Sequence, residues 1–194
     1  MSKPQDLDLR GHVLIAMPGM ADDRFARSIV LLLTHTSEGA MGFILNKPID
    51  EPTFSDVLGV LKLHEERTKF DDSSKEFQTF NGGPVEIGRG FVIHTLERTD
   101  SSSVRINDLA AVSGTHEILR AMIGDHPPEF AFLVLGYAGW GPGQLEDEIS
   151  QNGWLTLEAT HELVFETNYE HQYDAALAAL GISEEALSAS AGNA

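Results

Sequence analysis

The sequence predicts a single α+β domain, and three observations carry that reading. Apolar runs of strand length recur along the chain and pair off across turn-forming residues. Helical faces stand between groups of strands rather than after each one, which favours α+β over a doubly wound parallel sheet. The 194 residues, 42% of them hydrophobic, can bury a sizeable core and lack the composition of a disordered chain. The domain is expected over residues 1–187, with a frayed tail at 188–194.

Each element follows in order. His12 to Ala16 is an apolar run closed by Pro18 and Gly19, a buried strand with Met17-Pro18-Gly19-Met20 as a simple turn. Ser28 to Thr34 and Met41 to Leu45 are strands on either side of Ser37-Glu38-Gly39, a hairpin loop with Gly where φ must be positive. Phe54, Val57, Leu58 and Leu61 form one helical face within Phe54 to Leu63, with Pro52 near its start. His64 to Glu76 is charged and without periodicity, which predicts a mobile loop. Phe77 to Phe80 and Phe91 to Thr95 read as strands joined across Gly82-Gly83-Pro84. Thr115 is placed to cap a helix with the face Ile118, Leu119, Met122, Ile123. Phe130 to Leu135 is apolar at every position, as in a strand covered on both faces. After it comes a Gly-rich turn, then a short helix from Gln144 to Gln151. Leu155 with Leu157, and Leu163 to Phe165, predict further strands. Tyr169, Tyr173, Ala176, Leu177 and Leu180 mark a closing helix stopped by Gly181.

Composition excludes several function classes. Thirteen basic against thirty acidic residues give a net charge of −17, and the twelve acidic residues after Arg120 meet no Lys or Arg. Such a surface repels phosphate backbones, so no nucleic-acid partner is expected. No apolar run approaches the roughly 20 residues of a membrane span, and no membrane partner is expected. With a polar start from Met1 to Arg10 and no Cys, the expected location is cytoplasmic.

Catalytic and cofactor signatures are sparse. Gly82-Gly83 and Gly136-Tyr137-Ala138-Gly139 lack the spacing of a phosphate-binding loop, so no cofactor is expected. None of the eight histidines stands i, i+4 from another, and no metal is expected. His35 and His94 each end an apolar strand. If they met at one rim of the sheet, a carboxylate such as Glu148 would complete a metal site. Ser28, Ser55, Ser113 and Ser150 all lack the Gly-x-Ser-x-Gly elbow of a serine nucleophile. Glu146 and Glu148 fall on different helix faces and do not form an acid–base pair.

One segment is denser than the rest: Leu135-Gly-Tyr-Ala-Gly-Trp-Gly-Pro-Gly-Gln-Leu-Glu146. Its glycines permit close approach of another surface, and its aromatics pack either inward as a plug or outward as a contact. The candidate contact surface is Tyr137, Gly139, Trp140, Gly141, Pro142, Gly143, Gln144 and Glu148, with Asn81, Gly82, Gly83 and Pro84 nearby. Gln144 and Glu148 lie i, i+4 and share a face.

The same residues resemble a known family. Leu14-Ile-Ala-Met-Pro-Gly-Met20 with Phe25, then His35 and Gly39-Ala-Met-Gly-Phe-Ile-Leu-Asn-Lys-Pro48, are similar to the opening of the YqgE/AlgH family. The likeness runs on through Gly82-Gly-Pro-Val85, Phe91-Val-Ile-His94, the Gly136–Glu146 string, Trp154-Leu155 and Leu180-Gly-Ile182. It implies an α+β fold with a small β-barrel-like core and a forked mixed sheet flanked by helices. It implies no reaction. The functional expectation is a non-enzymatic regulatory or adaptor protein that binds a protein or small ligand through the Gly-rich turn 136–148. The alternatives are an enzyme with a polar site of Asn46, Asn81, Gln144 and Glu148 near that turn, and a transcriptional regulator, which the charge disfavours.

Overall fold

The computed structural model describes residues 8–63, 77–124, 126–184 and 187. Among the described residues nine strands form one sheet: β1 His12–Ala16, β2 Ile29–Thr36, β3 Gly39–Ile44, β4 Thr79–Asn81, β5 Val85–His94, β6 Val104–Arg105, β7 Ala111–Ser113, β8 Ala131–Trp140 and β9 Trp154–Glu158. The helices are α1 Phe54–Val60, α2 His116–Met122, α3 Gln144–Ser150 and α4 Tyr169–Ala179. The strand order is β6-β7-β5-β8-β3-β2-β1-β9. Every pairing on that path is antiparallel, while β4 runs parallel to β8. The result is a curled, forked α+β sheet, in keeping with the expected fold class. The expected mobile loop at 64–76 lies outside the described residues.

The fork is at Gly136. One flank of β8 pairs with β4 over Leu133 to Leu135, then with β3 over Ala138 to Trp140. Gly136 has φ +73°, and the side-chain alternation shifts there: Val134 and Tyr137, three apart, face the same core. A Cβ on Gly82 would lie 2.3 Å from the Gly136 carbonyl oxygen, and one on Gly83 would lie 2.2 Å from the Tyr137 carbonyl carbon. Only glycine lets the chain cross so close to β8.

The sheet separates three clusters. One face packs Val13, Leu31, Phe43, Phe91 and Val134 against Tyr173, Ala176 and Leu177 of α4. The other face is divided. At one end Leu14, Val30, Ile44 and Trp140 lie under Leu145 of α3. At the other, Val92 and Leu133 lie under Phe54 and Leu58 of α1 and Ile118, Leu119 and Met122 of α2.

Local chemistry explains the helix ends. Thr53 and Asp56 form a reciprocal capping box at the start of α1. Asn168 caps α4. At its end Gly181 (φ +71°) and Ile182 donate to Ala178 and Leu177, a Schellman closure.

Several sequence expectations are corrected. The strand expected at Leu163 to Phe165 is a π-helical turn, Glu162–Glu166, with Thr167 N–H on the Glu162 carbonyl. A three-residue apolar run fits a buried helical turn as well as a strand. The Gly-rich stretch is not a turn from Gly136 onward: β8 continues to Trp140, and only Gly141 to Gly143 turn. The strands either side of Gly82-Gly83-Pro84 do not pair with each other but flank β8. Thr115 takes the N-cap position of α2 without a side-chain cap bond; its hydroxyl meets Asp100 instead, at 3.5 Å.

Candidate functional site

The end of β8 and the start of α3 form one wall of a groove. Gly143, in the left-handed region at φ +74°, turns the chain into α3. That places Gln144 and Glu148 on one helix face beside Trp140. Glu148 is the hub: its Oε2 accepts from the Trp140 indole N–H (2.9 Å) and the Trp154 indole N–H (2.7 Å). Its Oε1 accepts from Gln144 Nε2 (2.9 Å), and Gln144 Oε1 accepts from Gly141 N–H (3.0 Å). Phe25 packs edge-on to Trp154 at 5.5 Å and tilted on Trp140 at 6.4 Å. Trp140 is 7% exposed, so it is the back wall rather than a protruding contact.

The opposite wall is the segment Gly19 to Phe25, and Pro84, Val85, Gln151, Asn152 and Gly153 complete the lining. The groove's volume is about 530 Å³. Asp22 caps the 3₁₀ turn Asp23–Phe25. The Arg24 guanidinium, hydrogen-bonded to Asp22, holds that carboxyl below its ordinary range. Lys47 donates to the Arg24 carbonyl at 2.8 Å, and burial pushes its ammonium below the usual lysine value.

The candidate residues take three positions. Pro84, Gly139, Trp140, Gln144 and Glu148 line the groove. Gly141, Pro142 and Gly143 form the exposed turn above it. Asn81, Gly82, Gly83 and Tyr137 do not line it: Asn81 Oδ1 accepts from Gly83 N–H (3.0 Å) at the fork, and Tyr137 packs at right angles on Phe91. Asn46 is a clamp elsewhere, accepting from Ile29 N–H (3.0 Å) and donating to the Arg27 carbonyl (2.9 Å). Sequence reasoning missed the Gly19–Phe25 wall, of which only Gly19 and Met20 fall within the expected simple turn, and Trp154, the second indole on Glu148. The sequence offered only the turn-forming pair Asn152-Gly153, which marks a tight turn before Trp154 but not where its indole goes; in the structure Asn152 takes φ +57° in that turn.

The histidines do not meet. His35 aligns through Ala40 with Trp140, and His94 aligns with Ala131, nine residues back along β8. That separation is roughly 30 Å. His35 Nδ1 accepts from Leu9 N–H (3.1 Å), so its Nε2 carries the proton and donates to Glu146 (3.1 Å). Glu146 and Glu148 thus serve different faces of α3. Among the described residues no group of three or more His, Asp or Glu side chains could hold a metal ion, and no helix is long and apolar enough to cross a membrane.

Comparison with known proteins follows the same outline. The AlgH-like family model (DUF179) matches residues 13–185. A UPF0301 protein of Sinorhizobium medicae is 48% identical over 188 residues, covering 96% of this chain and 93% of that protein. One from Agrobacterium fabrum is 42% identical over 196 residues, covering 100% and 97%. The solution structure of the AlgH protein from Pseudomonas aeruginosa superposes with a TM-score of 0.76 at 36% identity, covering 97% of each chain. A crystal structure of a Corynebacterium diphtheriae protein, TM-score 0.58 at 23% identity over 84% of this chain and 81% of that one, shares the fold. With the family model spanning most of the chain and such relatives along nearly all of it, this chain belongs to the AlgH-like family.

Proposed function

We propose that the chain is a regulatory or adaptor protein that binds a small ligand, or a short segment of a partner protein, in the groove between the Gly141–Gly143 turn and the Gly19–Phe25 segment. The observation that carries this reading is the groove itself. Its volume of about 530 Å³ falls within the range of small-molecule sites. Its wall is pre-organised, because one carboxylate fixes two indoles and Gln144, so little ordering remains for the binding step. Of the polar groups near this turn, Gln144 and Glu148 are engaged with each other, while Asn81 and Asn46 are tied to main-chain groups away from the groove, which supports binding over chemistry here. The acidic balance supports a partner other than DNA.

The test uses a built-in reporter. The protein's two tryptophans both line the groove, so tryptophan emission reads it selectively. A panel of small amides, carboxylates and aromatic heterocycles should include compounds that shift this emission saturably, with weaker binding to Gln144→Ala. If the compounds that bind leave the emission unmoved, or bind Gln144→Ala equally, the groove is not the site.

A further inference from the structure

A second cavity, about 650 Å³, lies at the other end of the same sheet face, between α1, α2 and the β5–β8 pair. Its walls are mainly apolar, with Val57, Leu61, Leu119 and Leu135, although Asp56, Arg89 and His116 also line it, and two strongly exposed side chains stand at its lips: Val60 (81%) and Ile87 (70%). Register fixes its floor. Val92 pairs with Leu133 on one side and Ser113 on the other, so three side chains stand in one cross-strand row facing the cavity. Ser113 is the polar end of that row. His94, two residues beyond Val92, projects from the same face.

The hydrogen bonds around Ser113 have a fixed direction. His94 Nδ1 lies 2.9 Å from the Thr95 carbonyl oxygen, which can only accept, so Nδ1 carries the proton. In the neutral ring Nε2 then accepts, and the Ser113 hydroxyl, 2.9 Å away, donates to it. Ser103, 2.7 Å from Ser113, must donate in turn, and its own oxygen accepts from Asp100 N–H at 2.9 Å. Ser113 Oγ is left with a lone pair and a base on its proton. Burial holds His94 below its ordinary value, outweighing the Thr95 carbonyl bond and the charges of Glu97 and Asp100, so at neutral pH the ring is free to take a proton.

We propose that Ser113 and His94 are a nucleophile and base for hydrolysis of acyl esters, with the acyl chain lying in this apolar groove. Ser113 Oγ attacks the ester carbonyl carbon, its proton passes to His94 Nε2, and the carbonyl π pair moves onto oxygen. When that pair returns, the alkoxide leaves and takes the proton from Nε2. Water adds to the acyl-serine through the same base, the serine recovers its proton, and a carboxylic acid departs. Glu97, Asp100 and the Thr95 carbonyl stabilise the transient imidazolium. Ser113 is 1% exposed, which restricts attack to a carbonyl seated in the groove. Ser113 closes β7 with two residues between it and α2, and Ala111 and Thr115 stand where the Gly-x-Ser-x-Gly motif has its glycines.

The site is separate from the tryptophan-lined groove, so either stands or falls without the other. The test is labelling of the full chain with an alkyl fluorophosphonate, located by peptide mass mapping, beside hydrolysis of p-nitrophenyl esters from acetate to octanoate. One adduct per chain on Ser113 is expected, with hydrolysis rising with acyl length. Ser113→Ala should abolish the adduct, and His94→Gln should slow it by about 10²–10⁴-fold with an unchanged circular dichroism spectrum. If His94→Gln unfolds, the wild-type pH profile decides: labelling should fall on acidification through one group titrating below the usual histidine value, and a flat profile overturns the proposal. It is equally overturned if the folded wild type gives no adduct while a control serine esterase labels fully, or if the adduct lies on another serine.

Discussion

At the α3 end of the sheet, one carboxylate accepts from two indoles and an amide. At the α1–α2 end, two hydroxyls and an imidazole form a line from a main-chain N–H to a main-chain carbonyl. Both arrangements satisfy partly or wholly buried polar atoms, yet they do so in opposite ways. Glu148 uses three of its roughly four acceptor positions, and all three donors are fixed side chains. Its charge is consumed in holding a shape. The serine–histidine line holds no ionised group at neutral pH, and each hydroxyl keeps a lone pair in reserve. The difference separates a wall that recognises from a pair that could react, and it can be broken or sharpened by substitution.

The largest expected effect is on the wall. Trp140→Ala removes a 7%-exposed indole and should cost about 3–5 kcal/mol in chemical denaturation. Ser113→Ala, which deletes one hydroxyl and leaves His94 Nε2 without its donor, should cost about 1–2 kcal/mol. Equal losses in the two variants would dissolve the contrast between the two ends.

Next in size is the hub itself. Glu148→Gln is isosteric, but its amide must turn an N–H toward either the two indole N–H groups or Gln144 Nε2, donors all as the network stands, with Gln144 Oε1 already held by Gly141 N–H. A loss of about 1.5–3 kcal/mol is expected, the worth of a hydrogen bond to a charged group. A red shift of tryptophan emission should accompany it as the rings loosen. Unchanged stability and emission would show that the carboxylate does not hold the wall.

A smaller effect is expected from acid. Burial keeps the folded-state value of His94 below that of the unfolded chain, against the raising influence of the Thr95 carbonyl, Glu97 and Asp100. The unfolded state therefore binds the proton first, and stability rises with pH across the window between the two values. The contribution is complete above an unfolded value of about 6.5. It declines as pH falls through that value toward the folded one, with a slope of at most about 1.4 kcal/mol per pH unit. Denaturant midpoints for wild type and His94→Gln should diverge in this window. Parallel curves would mean that the ring titrates as it does in the unfolded chain.

How far the two ends were legible in the sequence follows from how each is assembled. The Gly136–Glu146 string announced itself because its glycines answer to local geometry: Gly136 and Gly143 occupy the left-handed region, where other residues are strained. Even so, it read as a turn, since glycines that serve close strand crossing look the same as glycines that serve a bend. Helix faces were legible because their period is local, and so was the Gly181 stop. Trp154 was not, because its indole reaches Glu148 only after the Asn152 turn and β9 are in place. Nor was the Ser113–His94 pair, nineteen residues apart. A motif search looks for an elbow, whereas here the partners meet through the register of β5 and β7, which no short stretch of sequence specifies. For the same reason His35 and His94, alike as strand ends, fall at opposite ends of β8.

The smallest expected change in stability carries the most information about the α3 end. Gln144 is exposed, and its two hydrogen bonds, to Gly141 N–H and Glu148, tie the turn to the hub. Gln144→Ala returns the Gly141 N–H to water and leaves Glu148 both indoles, so the loss should be only about 0.5–1 kcal/mol, the low end for hydrogen bonds at exposed groups that water can serve instead. The tryptophans would stay packed, and their emission in the free protein would stay where it was. A ligand that uses Gln144 would nonetheless bind about tenfold more weakly, equivalent to about 1.4 kcal/mol. Run beside Ser113→Ala, the variant sorts the two ends: Gln144→Ala should alter emission titrations and leave serine labelling intact, and Ser113→Ala should do the reverse. A Gln144→Ala protein that is stable and binds as the wild type does would mean that the groove is packing alone, with the Gly-rich segment serving only the fork of the sheet.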